Sequence, residues 1–418
     1  MKKIRIKLVS LMLALLALLS CVSCAVKIKA EELSSGYRRT ASESGEVDEK
    51  FISSMADFSF ELFKGLNTKD SENDLMSPLS AVICLAMIAN GAEGETKKQM
   101  EEAFGLDIET LNRCLYAYTE ALYSSDKCKV SIADSIWFLD DGTLHIKENF
   151  LQTNADWYDA QIYGAPFDDG TVKDINHWCK KYTDGMIDNI IEEIPENVVM
   201  YLINALIFDA EWETKYEKRD IASAVFRNYG GTRSDVEMMY SAEDKRSFIA
   251  GEGVKGFVKS YSGGKYGFVG LLPDEGTDIY AFADSLNGEK WLSLWESRNA
   301  SKGEISGVRV GIPEFSYGVK TKLNDTLKAM GMTDMFDEAC ADFSGMSETF
   351  LSCSAVEQKV FIDVSRNGTK AAAVTWGSMN SESATILESV ILDRPFVYMI
   401  VDCETGLPLF IGVVSELG

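Results

Sequence analysis

The chain has 418 residues, 46% of them hydrophobic and 25% charged, which is enough apolar material for one large core or two ordinary ones. Its formal net charge is −24, and residues 1–20 hold four positive charges and no negative ones, so the remainder stands at −28. Nucleic acid, heparin-like polymers and anionic membrane are therefore poor partners for so acidic a body. His145 and His177 are the two histidines, and neither lies at ligand spacing from a cysteine or a second histidine, so no zinc site or other metal is expected.

Lys2, Lys3, Arg5 and Lys7 precede an apolar run from Leu8 to Leu19. That run is too short to span a bilayer, and its flanks are those of an export signal, taken here as residues 1–20. Leu18-Leu19-Ser20-Cys21 resembles the bacterial lipobox, in which the cysteine is lipidated and becomes the new N-terminus. Cys24 is a second candidate, and plain cleavage after Ala25 is the alternative. Residues 21–47, rich in Ser, Glu and Gly from Ala30 onward, read as a flexible tether before a body of residues 48–418. The expected location is thus outside the cell or tethered to its surface, with the membrane reached only through an N-terminal lipid. Cys84, Cys114, Cys128, Cys179, Cys340, Cys353 and Cys403 are odd in number and scattered, which predicts buried thiols rather than a disulfide framework.

Phe51, Met55, Phe58, Leu62 and Phe63 give Glu49–Leu66 the spacing of an amphipathic helix. Ser77 is placed to cap an apolar helix through Ala89 with Pro78 at its first position, and Gly91 and Gly94 end it. A second helix is expected over Thr96–Phe104, a strand over Val130–Leu139, and a helix over Lys147–Tyr158. Ile175 opens another helix that closes at Gly185, and Met200–Phe208 is a strongly apolar strand carrying Asn204. Ala224–Pro273 reads as nearly all β. Within it Gly251-Glu-Gly-Val-Lys-Gly256 fits G-x-G-x-x-G, yet no helix follows, so a hairpin turn is predicted and not a nucleotide site. Asp278–Leu294 is read as helical, Val308–Phe315 as a strand broken by Pro313, and Thr321–Ala329 as a helix. Strands return at 354–365 and 396–414. Strands so far apart in sequence must share sheets, which makes this one α+β domain. No G-x-S-x-G, P-loop or H-E-x-x-H occurs, and no enzyme active site is predicted.

The most informative stretch is Val360–Ser383. It opens as a strand and meets Asn367-Gly368, a pair suited to a tight turn, which would set Val364 opposite Ala371, Ile362 opposite Ala373 and Val360 opposite Thr375. Thr369, Ala371, Ala373 and Thr375 then share one face, while Lys370 and Trp376 fall on the other. The segment fits an exposed loop able to enter a sheet, and equally an Ala- and Ser-rich linker that never forms a strand.

Many ordered motifs agree with one family. Asn73 to Met100 resembles the N-x-x-x-S-P-x-S and G-A-x-G-x-T pattern of the serpins, a family of serine protease inhibitors. Ile175-Asn176-x-Trp178, Asn204-Ala205 with Phe208 and Trp212, Val236-x-Met238-Met239, Leu272-Pro273, Pro313-x-Phe315, Gly331-Met332, Ala341 to Gly345, Arg394-Pro395-Phe396 and Leu409-Phe-x-Gly412 resemble it as well. The resemblance implies a fold of three β-sheets and about eight or nine helices, and a reactive loop over about 366–394. It further implies a hinge of Gly368, Thr369, Lys370, Ala371, Ala372, Ala373, Val374 and Thr375, and a sheet-opening region of Ser77, Asn204 and Gln358. A target serine protease would be the partner, held as a covalent acyl-enzyme while the cut loop enters the central sheet, with no cofactor and a monomeric inhibitor. Four positions depart from the family. Arg366 and Asn367 stand where acidic residues are usual, Lys370 replaces another, and Gln358 stands in place of a histidine. Family spacing from Gly368 puts the reactive bond at Glu382–Ser383, whereas counting back from Pro395 gives Ala384–Thr385. No Lys, Arg, Phe or Tyr lies between Gly377 and Leu387, so the small residues there favour elastase-like or subtilisin-like proteases, while Glu382 favours a glutamyl-specific one. The alternatives are a non-inhibitory binding or substrate protein of this fold and an inhibitor of papain-like cysteine proteases.

Overall fold

The structure is a computed structural model and describes residues 28–40, 44–66, 73–122, 124–299, 305–369 and 386–418. The chain runs through β1 (Glu31–Glu32), α1 (Glu49–Leu66), β2 (Asn73–Met76), α2 (Pro78–Ala89), α3 (Gly94–Phe104) and α4 (Ile108–Glu120). It continues as β3 (Cys128–Leu139), α5 (Glu148–Tyr158), β4 (Gln161–Ala165), α6 (Asp169–Tyr182) and β5 (Met200–Glu211). Then come β6 (Ile221–Arg227), β7 (Arg233–Asp244), β8 (Phe248–Gly251), β9 (Val254–Ser260), β10 (Tyr266–Pro273), α7 (Ile279–Asp284) and α8 (Gly288–Glu296). The last part holds β11 (Ile305–Pro313), β12 (Phe315–Lys322), α9 (Asn324–Ala329), β13 (Glu357–Ser365), β14 (Gly368–Thr369), β15 (Ile386–Ile391), β16 (Phe396–Asp402) and β17 (Pro408–Val414).

These strands build three sheets, ordered β1-β4-β3-β5-β14-β13-β12, β2-β17-β16-β10-β9-β8 and β15-β11-β7-β6. With nine α-helices among the described residues, this is the expected α+β architecture. α2 lies at its centre because nothing on it needs water: every residue but Cys84 is buried, and it packs on both β5 and β17. Its start is fixed as predicted, with the Ser77 side chain accepting from the Ser80 amide and Pro78 at the first turn. β16 and β17 are buried along their whole length, as strands covered on both faces are. A second, smaller core under α6 gathers Trp137, Tyr163, Ile175, Trp178 and Cys179.

Several boundaries differ from the sequence reading. α6 begins at Asp169, not Ile175, because the Asp168 carboxylate caps the Gly170 and Thr171 amides. The helix expected over Asp278–Leu294 is two helices, since Asn287 caps a fresh start and Gly288 passes so close to α1 that a Cβ would lie 2.5 Å from the Asp57 nitrogen. Phe315–Lys322 is a full edge strand, so the following helix starts at Asn324. The hairpin at Gly251–Gly256 forms as predicted, with Gly251 paired to Val254. The tether reading needs correction over 28–40 and 44–47, where the chain lies along the body. β1 pairs with β4, the Asp174 carboxylate accepts from the Lys29 and Ala30 amides, the Arg39 guanidinium sits over the Tyr116 ring, and the Gly45 amide donates to the Arg113 carbonyl. Ile28, Leu33, Tyr37 and Val47 supply the apolar contacts that a composition count averages away.

Candidate functional site: the short strand and cavity between β5 and β13

β5 and β13 flank the middle of the large sheet, and at one end only they are bridged by the two residues of β14. Gly368 pairs with Glu211 and Ser365, and Thr369 with Ala210 and Val364. The turn is therefore made by Arg366 and Asn367, one residue earlier than the Asn367-Gly368 turn expected, and Val364 faces Thr369 and not Ala371. Asn367 does not take positive φ. Gly368 does, at +142°, and a Cβ there would lie 2.0 Å from the Ala210 carbonyl oxygen, so glycine is needed where the chain squeezes between the strands and not at the corner.

This end is held by groups on every side. The Trp212 indole donates to the Ser365 carbonyl at 2.8 Å, while the Trp212 and Tyr216 amides donate to the carbonyls of Asn367 and Arg366. Trp212 stacks on Tyr261 with ring centroids 4.5 Å apart, and the Tyr261 hydroxyl lies 2.6 Å from Thr369 Oγ1. Arg366 makes a two-pronged ion pair with Glu314, at 2.9 and 3.1 Å, and donates its amide to the same carboxylate. The basic residue Arg366 is thus matched by an acid immediately before β12. Buried Lys259 donates to Glu243 at 2.8 Å and lies 4.6 Å from the Tyr216 ring centre.

Below β14 the two strands part around a cavity of about 970 Å³, lined among others by Leu206, Phe208, Val360, Asn204, Gln358 and Ser77. The chain linking α6 to β5 also lines it, through Met186, Ile187, Ile190 and Ile191. One side chain pins that segment. Asn176 Oδ1 accepts from the Ile190 and Ile191 amides, and its Nδ2 donates to the Ile191 carbonyl at 2.7 Å.

Of the expected sheet-opening residues, Ser77 and Gln358 come together. The Gln358 amide accepts from the Ser77 N–H and donates to the Ser77 carbonyl, both at 2.8 Å, so it mimics a peptide group and ties β13 to the start of α2. Asn204 turns the other way and donates to Asp134 Oδ1 at 2.9 Å. Asp134 sits directly opposite Asn204 on β3, and burial, with repulsion from Asp159 adding to it, pushes its carboxyl up to about 7 against the pull of the Asn204 bond. Burial likewise raises the thiols of Cys84 and Cys353, which also line the cavity, to about 12, and all seven cysteines of the described residues are free. Of the expected hinge residues, Gly368 and Thr369 form β14 between β5 and β13. Lys370, Ala371, Ala372, Ala373, Val374, Thr375, the bond candidates Glu382, Ser383, Ala384 and Thr385, and Cys21 and Cys24 lie outside the described residues. Asp134, Tyr261 and Glu314 escaped the sequence reading. Glu314 is the unnamed middle residue of Pro313-x-Phe315, so it alone had a local signal.

Among the described residues the strand between β5 and β13 is the two-residue β14, and beyond it the two long strands face a cavity. The family model described as serpin (serine protease inhibitor) matches residues 53–417, and the chain belongs to the serpin family. Serpins generally are inhibitors that bind target proteases, and are not themselves enzymes. The chain is 29% identical to human Serpin B11 over 387 residues, covering 86% of this chain and 97% of that protein. It is 29% identical over 377 residues to leukocyte elastase inhibitor A of Mus musculus, with the same coverage. Among solved structures, that of the thermophilic serpin tengpin in the native state superposes with a TM-score of 0.86 at 43% identity, covering 93% of this chain and all of that one.

Proposed function

We propose that this chain is an exported suicide inhibitor of serine endopeptidases that traps its target by drawing the cut loop into the central sheet. The observation that carries this reading is the seating of Gly368 and Thr369 between β5 and β13, with Thr369 buried. Insertion that continued both registers would put Ala371 between Phe208 and Ile362, Ala373 between Leu206 and Val360, and Thr375 between Asn204 and Gln358. Each is small and uncharged, so no ion is forced into the core, a step that would cost several kcal/mol and slow the insertion.

The chemistry follows from timing. The protease serine attacks the scissile carbonyl, the amine of the next residue leaves, and an ester joins the two proteins. Roughly 15 residues at ~3.3 Å each then carry the attached protease on the order of 50 Å before water can break that ester. The intact form is a kinetically held state of higher free energy than the inserted one. Glu382–Ser383 or Ala384–Thr385 is the bond cut, and the small residues around it, together with the kinship to a leukocyte elastase inhibitor, support an elastase-like target. The inhibitor acts as a monomer, held at the cell surface by a lipid on Cys21 or Cys24. Mixing it with less than one equivalent of neutrophil-type elastase should give an SDS-stable complex, with the released C-terminal peptide placing the cut between Ser381 and Thr385. Cleavage there with no complex and full protease activity would leave only a non-inhibitory substrate protein.

A further inference from the structure

We propose that Asp134 and Asn204 form a proton-held brace between β3 and β5: the Asp134 carboxyl keeps its proton in the intact chain and closes a ring of two hydrogen bonds with the Asn204 amide, and the ring opens when that proton leaves. The brace requires no loop insertion and would exist in an inhibitor and in a non-inhibitory protein alike. The two residues are direct cross-strand partners, so their side chains share one face of the sheet, and Asp134 is buried. Asn204 Nδ2 donates to Asp134 Oδ1 at 2.9 Å, while Asn204 Oδ1 is sheltered from solvent and receives no N–H or hydroxyl. A buried acceptor without a donor is costly, and the group already bonded to the other end of that amide is a carboxyl. A carboxylate cannot donate. A carboxylic acid donates its O–H to Asn204 Oδ1 while accepting from Nδ2, which satisfies both ends of the amide at once.

The surroundings favour the neutral acid. The titratable groups facing Asp134 are Cys84 from α2, and Tyr158 and Asp159 at the end of α5, while Leu202 and Leu206 of β5 and Ile162 of β4, on the same face, are apolar. Among these described neighbours no cation offsets a carboxylate. Burial raises the Cys84 thiol to about 12 and lifts the Tyr158 hydroxyl well above its usual range, so both stay neutral around pH 7. Burial, with repulsion from Asp159 added, pushes the Asp134 carboxyl up to about 7 against the pull of the Asn204 bond. An aspartate of the unfolded chain titrates at about 4. Between those two values the folded chain holds a proton that the unfolded one lacks, so the contribution to stability is full below about pH 4 and is lost as pH rises through 7. The intact chain is therefore more durable in mildly acid surroundings than above pH 7, and a carboxyl, not a histidine, sets that dependence.

The test compares the full wild-type chain with Asp134→Asn, whose side-chain amide can close the same ring without a proton to lose. Urea unfolding of both from pH 5 to 8, taken as a ratio at each pH, cancels every titration the two proteins share. The unfolding constant of wild type relative to the variant should rise roughly ten-fold per pH unit between 5 and 7 and level off above. A second readout uses wild type alone and so covers a failure of Asp134→Asn to fold. The infrared carbonyl band of a protonated side-chain carboxyl should persist at pH 6 and disappear with a midpoint near 7. Parallel unfolding profiles, or no such band at pH 6, would show Asp134 ionised in the intact chain and overturn the brace. Neither result bears on loop insertion, which the trapping of elastase decides separately.

Discussion

The two ends of the place between β5 and β13 are built on opposite rules. At the upper end β14 fills the space, and Trp212, Tyr216, Tyr261 and Glu314 satisfy the carbonyls, amide and guanidinium of Ser365–Asn367 and the hydroxyl of Thr369. Halfway down, the same two strands face a cavity. Gln358 is bonded to Ser77 on one side, Asn204 to Asp134 on the other, and one amide oxygen is left without a donor. The upper end is thus fully partnered and the lower end is not, and on the insertion proposed above the free energy gained would come from the lower half.

Substitutions can break this contrast from either end. The largest effect should come from Trp212→Ala, which empties a fully buried indole site and removes the bond to Ser365; a loss of about 3–5 kcal/mol is expected from urea unfolding of the intact form. Gln358→Ala leaves the Ser77 amide and carbonyl unpaired in the core and should lower stability by about 1–3 kcal/mol on the same measurement. An unchanged midpoint there would mean that the lower half bears no load before insertion. The smallest effect belongs to Arg366→Glu. Its partner Glu314 is partly exposed and Arg366 more so, so the change should stay under about 1 kcal/mol, and adding Glu314→Arg should restore the wild-type midpoint. Failure of the double exchange to recover would show that the bond from the Arg366 amide to Glu314 outweighs the ion pair.

Local signals carried much of the fold. Ser77-Pro78 announces the start of α2, and the absence of a helix after Gly256 is enough to discard a nucleotide-binding reading of the glycines before it. α4 went unread although Asp107 caps it and Leu111, Cys114, Leu115 and Tyr118 lie on its buried face, a pattern that was available. β4 is five residues long and offers no period to count, and β12 was hidden because its alternation runs into the residues taken for the next helix. The hinge turn was placed one residue late because Asn-Gly is a strong corner signal, while the need for glycine actually arises from the Ala210 carbonyl, 158 positions before it in the chain. Asp134 is the clearest case of information absent from any local window. Its neighbour Asn204 is set by the pairing of β3 with β5, and its raised carboxyl by burial that only the assembled sheet provides.

The short pairing of β1 with β4 has a mechanical meaning. On the insertion proposed above, the sheet would widen by one inter-strand spacing, about 4.8 Å, and β5, β3 and β4 would shift relative to β13 and β12. β1 is bonded to β4, the outermost of these strands, and would travel with them. A pull on residues 28–40 would then act like a lever, working with or against the opening of the sheet.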